Sequence, residues 1–320
     1  NGIQELQEFE IAPYSDLAIY VRVFLPNQVF VRTHQNKFSQ ALNFNFNQWQ
    51  NEKGFKKFAS HFYNQTSFLI ERRIRRDGSN FDLNPFSKND DELIGLNTNF
   101  RNSLFFNRGK QYHSTTYSFL INESQNLINV QFDGNQNLAS LESISAKNQS
   151  HQLQYQHLVK KSWLFNFSGS TTSTESTSEN YPNRNFEIES YQVEPKIGYL
   201  FSKNASWDIF YEFQQKENQI GAFETLKQTR LGTSFTFNSE KGFSMNGEFS
   251  MYNNSYDGNA LSAVGFQMLE GLQPGKNQTW RLLLQKNLTQ YLDVNINYQG
   301  RNSETSKTIH TGNVQLRAFF

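Results

Sequence analysis

Residues 291–299 read Tyr-Leu-Asp-Val-Asn-Ile-Asn-Tyr-Gln, and the chain closes at 313–320 with Asn-Val-Gln-Leu-Arg-Ala-Phe-Phe. In the first stretch Leu292, Val294, Ile296 and Tyr298 alternate with Asp293, Asn295, Asn297 and Gln299. In the second, Val314, Leu316, Ala318 and Phe320 alternate with Asn313, Gln315, Arg317 and Phe319. A period of two puts successive side chains on opposite faces of a strand, so each segment predicts one apolar and one polar face. The same alternation runs backwards through Phe243, Met245, Gly247 and Phe249, through Leu231, Thr233, Phe235 and Phe237, and through Trp207, Ile209, Tyr211 and Phe213. It recurs at Val193, Ile197, Tyr199 and Phe201, at Trp163, Phe165 and Phe167, and at Leu42, Phe44 and Phe46. Helical spacing fits none of these segments, and the chain is expected to be all-β.

Composition agrees. Hydrophobic residues are 36% of 320, aromatic residues 15%, and charged residues 18%; the polar remainder is rich in Asn, Gln, Ser and Thr. No run approaches 18 charge-free apolar residues, so no helix can span a bilayer. A formal net charge of +1 removes the electrostatic case for a nucleic-acid binder. The absence of cysteine excludes disulfide frameworks, thiolate metal sites and thiol catalysis. The chain begins at Asn1 with no charged and apolar leader, which reads as a mature or partial form of something longer.

Connections sort into two kinds. Short ones fall near 51–54, 107–110, 160–161, 202–204, 239–242 and 289–290; longer polar segments near 77–92, 123–147, 171–184, 215–222, 257–275 and 301–309 alternate with them. Short turns at one end and long loops at the other predict a transmembrane antiparallel up-and-down β-barrel. Rings beside the short turns, among them Tyr112, Trp163, Phe201, Trp207, Phe237, Phe243 and Tyr291, would form its interfacial girdle. Thirteen segments alternate between 38–50 and 309–320; a further strand in 15–33 brings the expected number to 14, with 12 and 16 as neighbours. Residues 1–14 are then a linker or a plug, and 15–320 the barrel.

The terminal Val314, Leu316, Ala318 and Phe320 resemble the C-terminal recognition strand of bacterial outer-membrane proteins, which the barrel-assembly machinery reads. The Asn- and Phe-rich style is similar to outer-membrane proteins of Bacteroidota. Ala263-Val-Gly-Phe-Gln-Met-Leu-Glu-Gly-Leu-Gln-Pro-Gly-Lys-Asn277, then Tyr298-Gln-Gly-Arg301 and Ile309-His-Thr-Gly312 through Phe320, resemble the tail of long cell-surface proteins of that group. The resemblance implies the outer membrane of a Gram-negative bacterium and a barrel that ends a larger protein. It implies no reaction.

Catalytic and metal patterns are missing. There is no P-loop, dinucleotide fingerprint, HExxH or EF-hand loop, and the six His are scattered. His151 and His157 would share a face, but at about 20 Å apart along a strand they cannot share an ion. Ser306 and His310 could be proposed as a hydrolytic pair, but a solvated loop explains them better, so no enzyme activity and no cofactor are expected. The densest cations, Arg72, Arg73, Arg75 and Arg76, would sit at the loop end of a strand, touching lipid A phosphates or forming a solvated rim with Asp77, Asp90, Asp91 and Glu92. Glu194, Lys196, Asp208, Glu212, Arg230, Glu248 and Arg317 fall on the polar face and would neutralise one another inside the barrel rather than form an ion filter. The expected role is membrane anchor and accessory subunit of a larger outer-membrane assembly for secretion, barrel assembly or nutrient uptake. The alternative is a stand-alone porin. Expected partners are outer-membrane lipid and lipopolysaccharide, the barrel-assembly machinery, and other outer-membrane proteins or lipoproteins, with no nucleic acid.

Overall fold

A computed structural model describes residues 32–76, 84, 86, 93–109, 112–130, 140–239, 242–289 and 291–318. Thirteen antiparallel strands follow one another in a single sheet, each hydrogen-bonded to its neighbours in sequence. They are β1 (Thr33–Asn45), β2 (Phe62–Arg75), β3 (Leu93–Phe106), β4 (His113–Val130), β5 (Ser140–Val159), β6 (Trp163–Ser178) and β7 (Phe186–Ser202). The rest are β8 (Ala205–Asn218), β9 (Thr225–Ser239), β10 (Phe243–Asp257), β11 (Gly275–Thr289), β12 (Leu292–Ser303) and β13 (Ser306–Ala318). This is the wall of an up-and-down transmembrane β-barrel. The strand expected in 15–33 and the segment 1–14 lie outside the described residues, apart from Arg32 and from Thr33, which opens β1.

Register explains why the alternation matters. Trp163, Phe165 and Phe167 pair with Tyr199, Ile197 and Pro195. Tyr199 and Ile197 pair in turn with Trp207 and Ile209, and these with Phe235 and Thr233. The row continues through Phe249, Trp280 and Gly300. One face of the sheet is thus a continuous apolar band, and Trp163, Phe165, Phe167, Trp207 and Phe249 on it are exposed, as a lipid-facing wall requires. Pro195 sits on that outward row; it has no N–H to donate, and the β7–β8 pairing skips Glu194 and Pro195.

On β4–β13 the apolar band covers only the turn-end portion of each strand. Beyond it β6 continues as Thr171-Thr-Ser-Thr-Glu-Ser-Thr-Ser178, still paired with β5 and β7. Two expected loops are therefore largely strand: β4 and β5 extend through much of 123–147, and β6 covers 171–178 of the expected 171–184. Polarity there marks where the wall leaves the bilayer, since the backbone ladder persists in water. The expected loop at 301–309 is a hairpin, with β12 ending at Ser303 and β13 starting at Ser306. The expected strand 57–74 starts five residues late, because Phe55–Ala59 form a short helix, α1. A second helix, α2 (Ala263–Leu269), occupies the connection between β10 and β11.

Candidate functional site

The polar face of β7–β10 carries a ladder of charges. Glu212 on β8 and Arg230 on β9 are direct register partners. Arg230 Nη1 donates to Glu212 Oε2 at 3.3 Å, Nη2 to Glu248 Oε1 at 2.5 Å, and Nε to Ser250 Oγ at 3.1 Å. Its guanidinium lies 4.6 Å from the Phe210 ring centre and 5.4 Å from that of Tyr252. A bare Gly232 makes this possible: a Cβ there would run into the Phe210 ring, so the ring lies flat across the glycine and supports the cation. One step toward the turns, Lys196 Nζ sits 3.3 Å from Asp208 Oδ2, and Ser234 Oγ donates to the same oxygen at 3.3 Å. Gly198 leaves room for that carboxylate, which a Cβ would strike.

Above the ladder the β10–β11 connection folds onto the same face. Ser262 caps α2, accepting from the Gly265 N–H at 2.9 Å. Val264, Gly265, Met268 and Leu269 form the buried face of the helix and pack on Ile188 of β7 and Leu226 of β9, with Phe186 and Tyr256 alongside. Glu270 then adopts φ 53° and Gly271 φ 78°, ending the helix in left-handed turns. The loop is pinned on both sides. Lys216 Nζ of β8 donates to the Met268 carbonyl at 3.0 Å and pairs with Glu270. Arg301 Nη1 of β12 donates to the Gly271 carbonyl at 3.0 Å, and Asn254 and Asn277 both donate to the Gln273 carbonyl, at 3.0 and 2.7 Å.

One loop touching β7 and β12 on a single face requires the wall to curve around it. Glu270 makes the curvature plain. It lines one hollow of about 230 Å³ with Thr172, Ile188 and Gln214, and another of about 530 Å³ with Arg281, Gln299 and Thr311. The concave face is the lumen, and residues 258–274 cap its loop end against β7–β12.

The sequence-expected residues separate accordingly. Glu194, Lys196, Asp208, Glu212, Arg230 and Glu248 share one stretch of lumenal wall, and among the described residues all but Glu194 have an oppositely charged partner at ion-pair distance. Arg317 stands apart on β13, where it donates to Gln315 at 3.4 Å. Val314 and Leu316 lie on the outward row at 68% and 62% exposure, while Phe320 lies outside the described residues. The arginine cluster splits by strand alternation. Arg72 is turned onto the outward row, 2% exposed, and donates to the Asn84 carbonyl at 3.2 Å; Arg73 faces the lumen and pairs with Glu71 at 2.9 Å. Arg76 is exposed just beyond the strand, and Arg75 is half-buried.

Sequence reasoning missed the cap, which it took for part of a polar loop. The signals were present: Ser262 as cap, apolar Val264, Met268 and Leu269 on one helical face, then Gly271 and Pro274 as stops. Lys216 as its anchor left no signal, since the residue it binds is 54 positions away.

No established family pattern and no curated protein matches the chain. Solved structures resemble it at a distance. CdiB from Escherichia coli is 11% identical, with 88% of this chain and 56% of that one covered at a TM-score of 0.47. The ferric-catecholate import receptor Fiu from E. coli K12 in its open form is 9% identical, with 89% and 57% covered at 0.48. The translocator domain of autotransporter NalP from Neisseria meningitidis is 8% identical, with 92% and 91% covered at 0.29. The chain thus spans a little over half the length of CdiB and Fiu. The chain is a transmembrane β-barrel. Its own lipid-facing band and up-and-down topology carry that statement.

Proposed function

We propose that this barrel acts as a membrane anchor and accessory subunit of a larger outer-membrane assembly for secretion, barrel assembly or nutrient uptake, without enzyme activity. The observation that carries the reading is the latched cap. An open diffusion pore is served by a clear lumen, whereas here a helix is packed by apolar side chains against β7 and β9 and pinned by Lys216 and Arg301. Below it, the Arg230 ladder spends its charges on one another, which suits a wall that must be stable more than one that must select ions. Kinship with long cell-surface proteins of Bacteroidota belongs to the same proposal. Residues 263–277, one of the stretches that carry that resemblance, build most of the cap. Lipopolysaccharide, the barrel-assembly machinery and neighbouring outer-membrane proteins or lipoproteins are its proposed partners.

The porin reading keeps one specific support, the two hollows beside Glu270. Single-channel conductance in planar bilayers separates the two. The intact chain should be silent, and Lys216→Met combined with Glu270→Gln should produce intermittent openings as the cap loosens. Steady ohmic conductance of the unmodified chain would overturn the anchor reading and make diffusion the function.

A further inference from the structure

The two ends of this wall carry opposite charge. The six connections at the turn end, residues 46–61, 107–112, 160–162, 203–204, 240–242 and 290–291, hold nine Lys or Arg against Glu52 and Glu240, a net +7. The six at the other end, 76–92, 131–139, 179–185, 219–224, 258–274 and 304–305, hold three against ten Asp or Glu, a net −7. The whole chain is nearly neutral at +1, so overall composition hides the polarity.

At the basic end the cations stand next to exposed rings. Helix α1 reads Phe55-Lys-Lys-Phe-Ala59, with Phe55 79% and Phe58 54% exposed and both lysines in solvent. Phe58 lies 5.3 Å from Phe62 and 6.3 Å from Phe106, ring centre to ring centre, and both belong to the outward row. The helix therefore extends the lipid-facing side of the wall. Around the same end Tyr112, Trp163, Phe201 and Tyr291 are exposed. Lys160 and Lys161, both at positive φ in the tight β5–β6 turn, and Lys203 in the β7–β8 turn project just beyond them.

Exposed aromatics with lysines one step farther out match the depth profile of a bilayer interface, where rings sit at the carbonyl level and ammonium groups reach the phosphates. An acidic protein bound at the turn tips would gain nothing from Phe55 and Phe58 on the wall side. We propose that the turn-end rim is a collar for anionic phospholipid headgroups of the leaflet that the short turns face, the periplasmic one, with α1 lying in that interface.

The test uses the full chain reconstituted in phosphatidylcholine bilayers and probed with spin-labelled phosphatidylglycerol or phosphatidylcholine. The motionally restricted lipid should favour phosphatidylglycerol by about threefold or more at low salt, and the preference should vanish near 1 M salt, where screening acts within about 3 Å. Replacing Lys53, Lys56, Lys57, Lys160 and Lys161 with Gln should abolish it. Neutralising Asp90, Asp91 and Glu92 at the other end should leave it unchanged. Heat-modified gel mobility checks that each variant is folded, and the salt dependence of the unmodified chain stands without any variant. Equal association of the two lipids, or a preference that survives the lysine substitutions, overturns the proposal. Equal association together with salt-sensitive capture of polyglutamate would assign the rim to an acidic protein instead. Each readout is independent of conductance, so this collar and the anchor reading can fail separately.

Discussion

Replacing Arg230 with Met should destabilise the barrel by roughly 3 kcal/mol, nearly all of it through Glu212. The side chain of Glu212 is 8% exposed and that of Arg230 20%, so the pair is shielded from bulk water. Removing one partner of a buried pair costs about 3–5 kcal/mol, and the lower end applies because the lumen beside it admits water. Glu248, at 43% side-chain exposure, adds about 0–1 kcal/mol, as surface pairs do. Met retains a stem of similar length against Phe210, which keeps the packing and isolates the charge. Reversible guanidinium unfolding in lipid vesicles, followed by the fluorescence of the four tryptophans, measures the loss. The discriminating comparison is a double-mutant cycle with Glu212→Gln. Once Glu212 is neutral there is no stranded charge, so the double variant should be more stable than the sum of the singles by about 2 kcal/mol. Additivity within about 0.5 kcal/mol would refute the claim that Arg230 holds this wall through Glu212.

Other substitutions probe separate parts of the structure. Gly232→Val forces the Phe210 ring off its seat and should cost about 1–3 kcal/mol by the same unfolding assay, while Gly312→Ala, where a Cβ meets nothing within 4 Å, should change stability by less than about 0.5 kcal/mol. Leu231→Lys places a charge on the lipid-facing row and should cost roughly 2 kcal/mol, whereas Gln192→Lys on the lumenal face should be near neutral. Equal costs would mean that the two faces are misassigned. Leu269→Ala leaves a void beneath α2 worth about 2–5 kcal/mol to the cap. Protease should then cut within 258–274 while the strands remain protected; an unchanged cleavage rate would show that the cap does not depend on this packing.

Strand identity and facing were legible because a wall between lipid and water imposes a period of two on every strand that crosses it. Trp207, Ile209, Tyr211 and Phe213 could be assigned to one face from the string alone, and their register partners fall on the same face. Strand ends were not legible in that way. The polar run Thr171–Ser178 has the composition of a loop and the hydrogen bonds of a strand, since a sheet above the bilayer meets water on both sides and loses its alternation. The lumenal charges could be named from the polar face, but which acid answers Arg230 depended on the stagger of β8 against β9 and on the room left by Gly232.

What the sequence determined by itself is the class of the fold and the outward face of its strands, because both follow from local alternation between neighbouring residues. What only the tertiary structure decided is the site. Lys216 and Met268 are 52 residues apart, and Arg301 and Gly271 are 30 apart; no local pattern links them. They meet because the wall curves and brings β7 and β12 around the same loop. The burial of α2 and the latch that holds it both depend on that curvature in space.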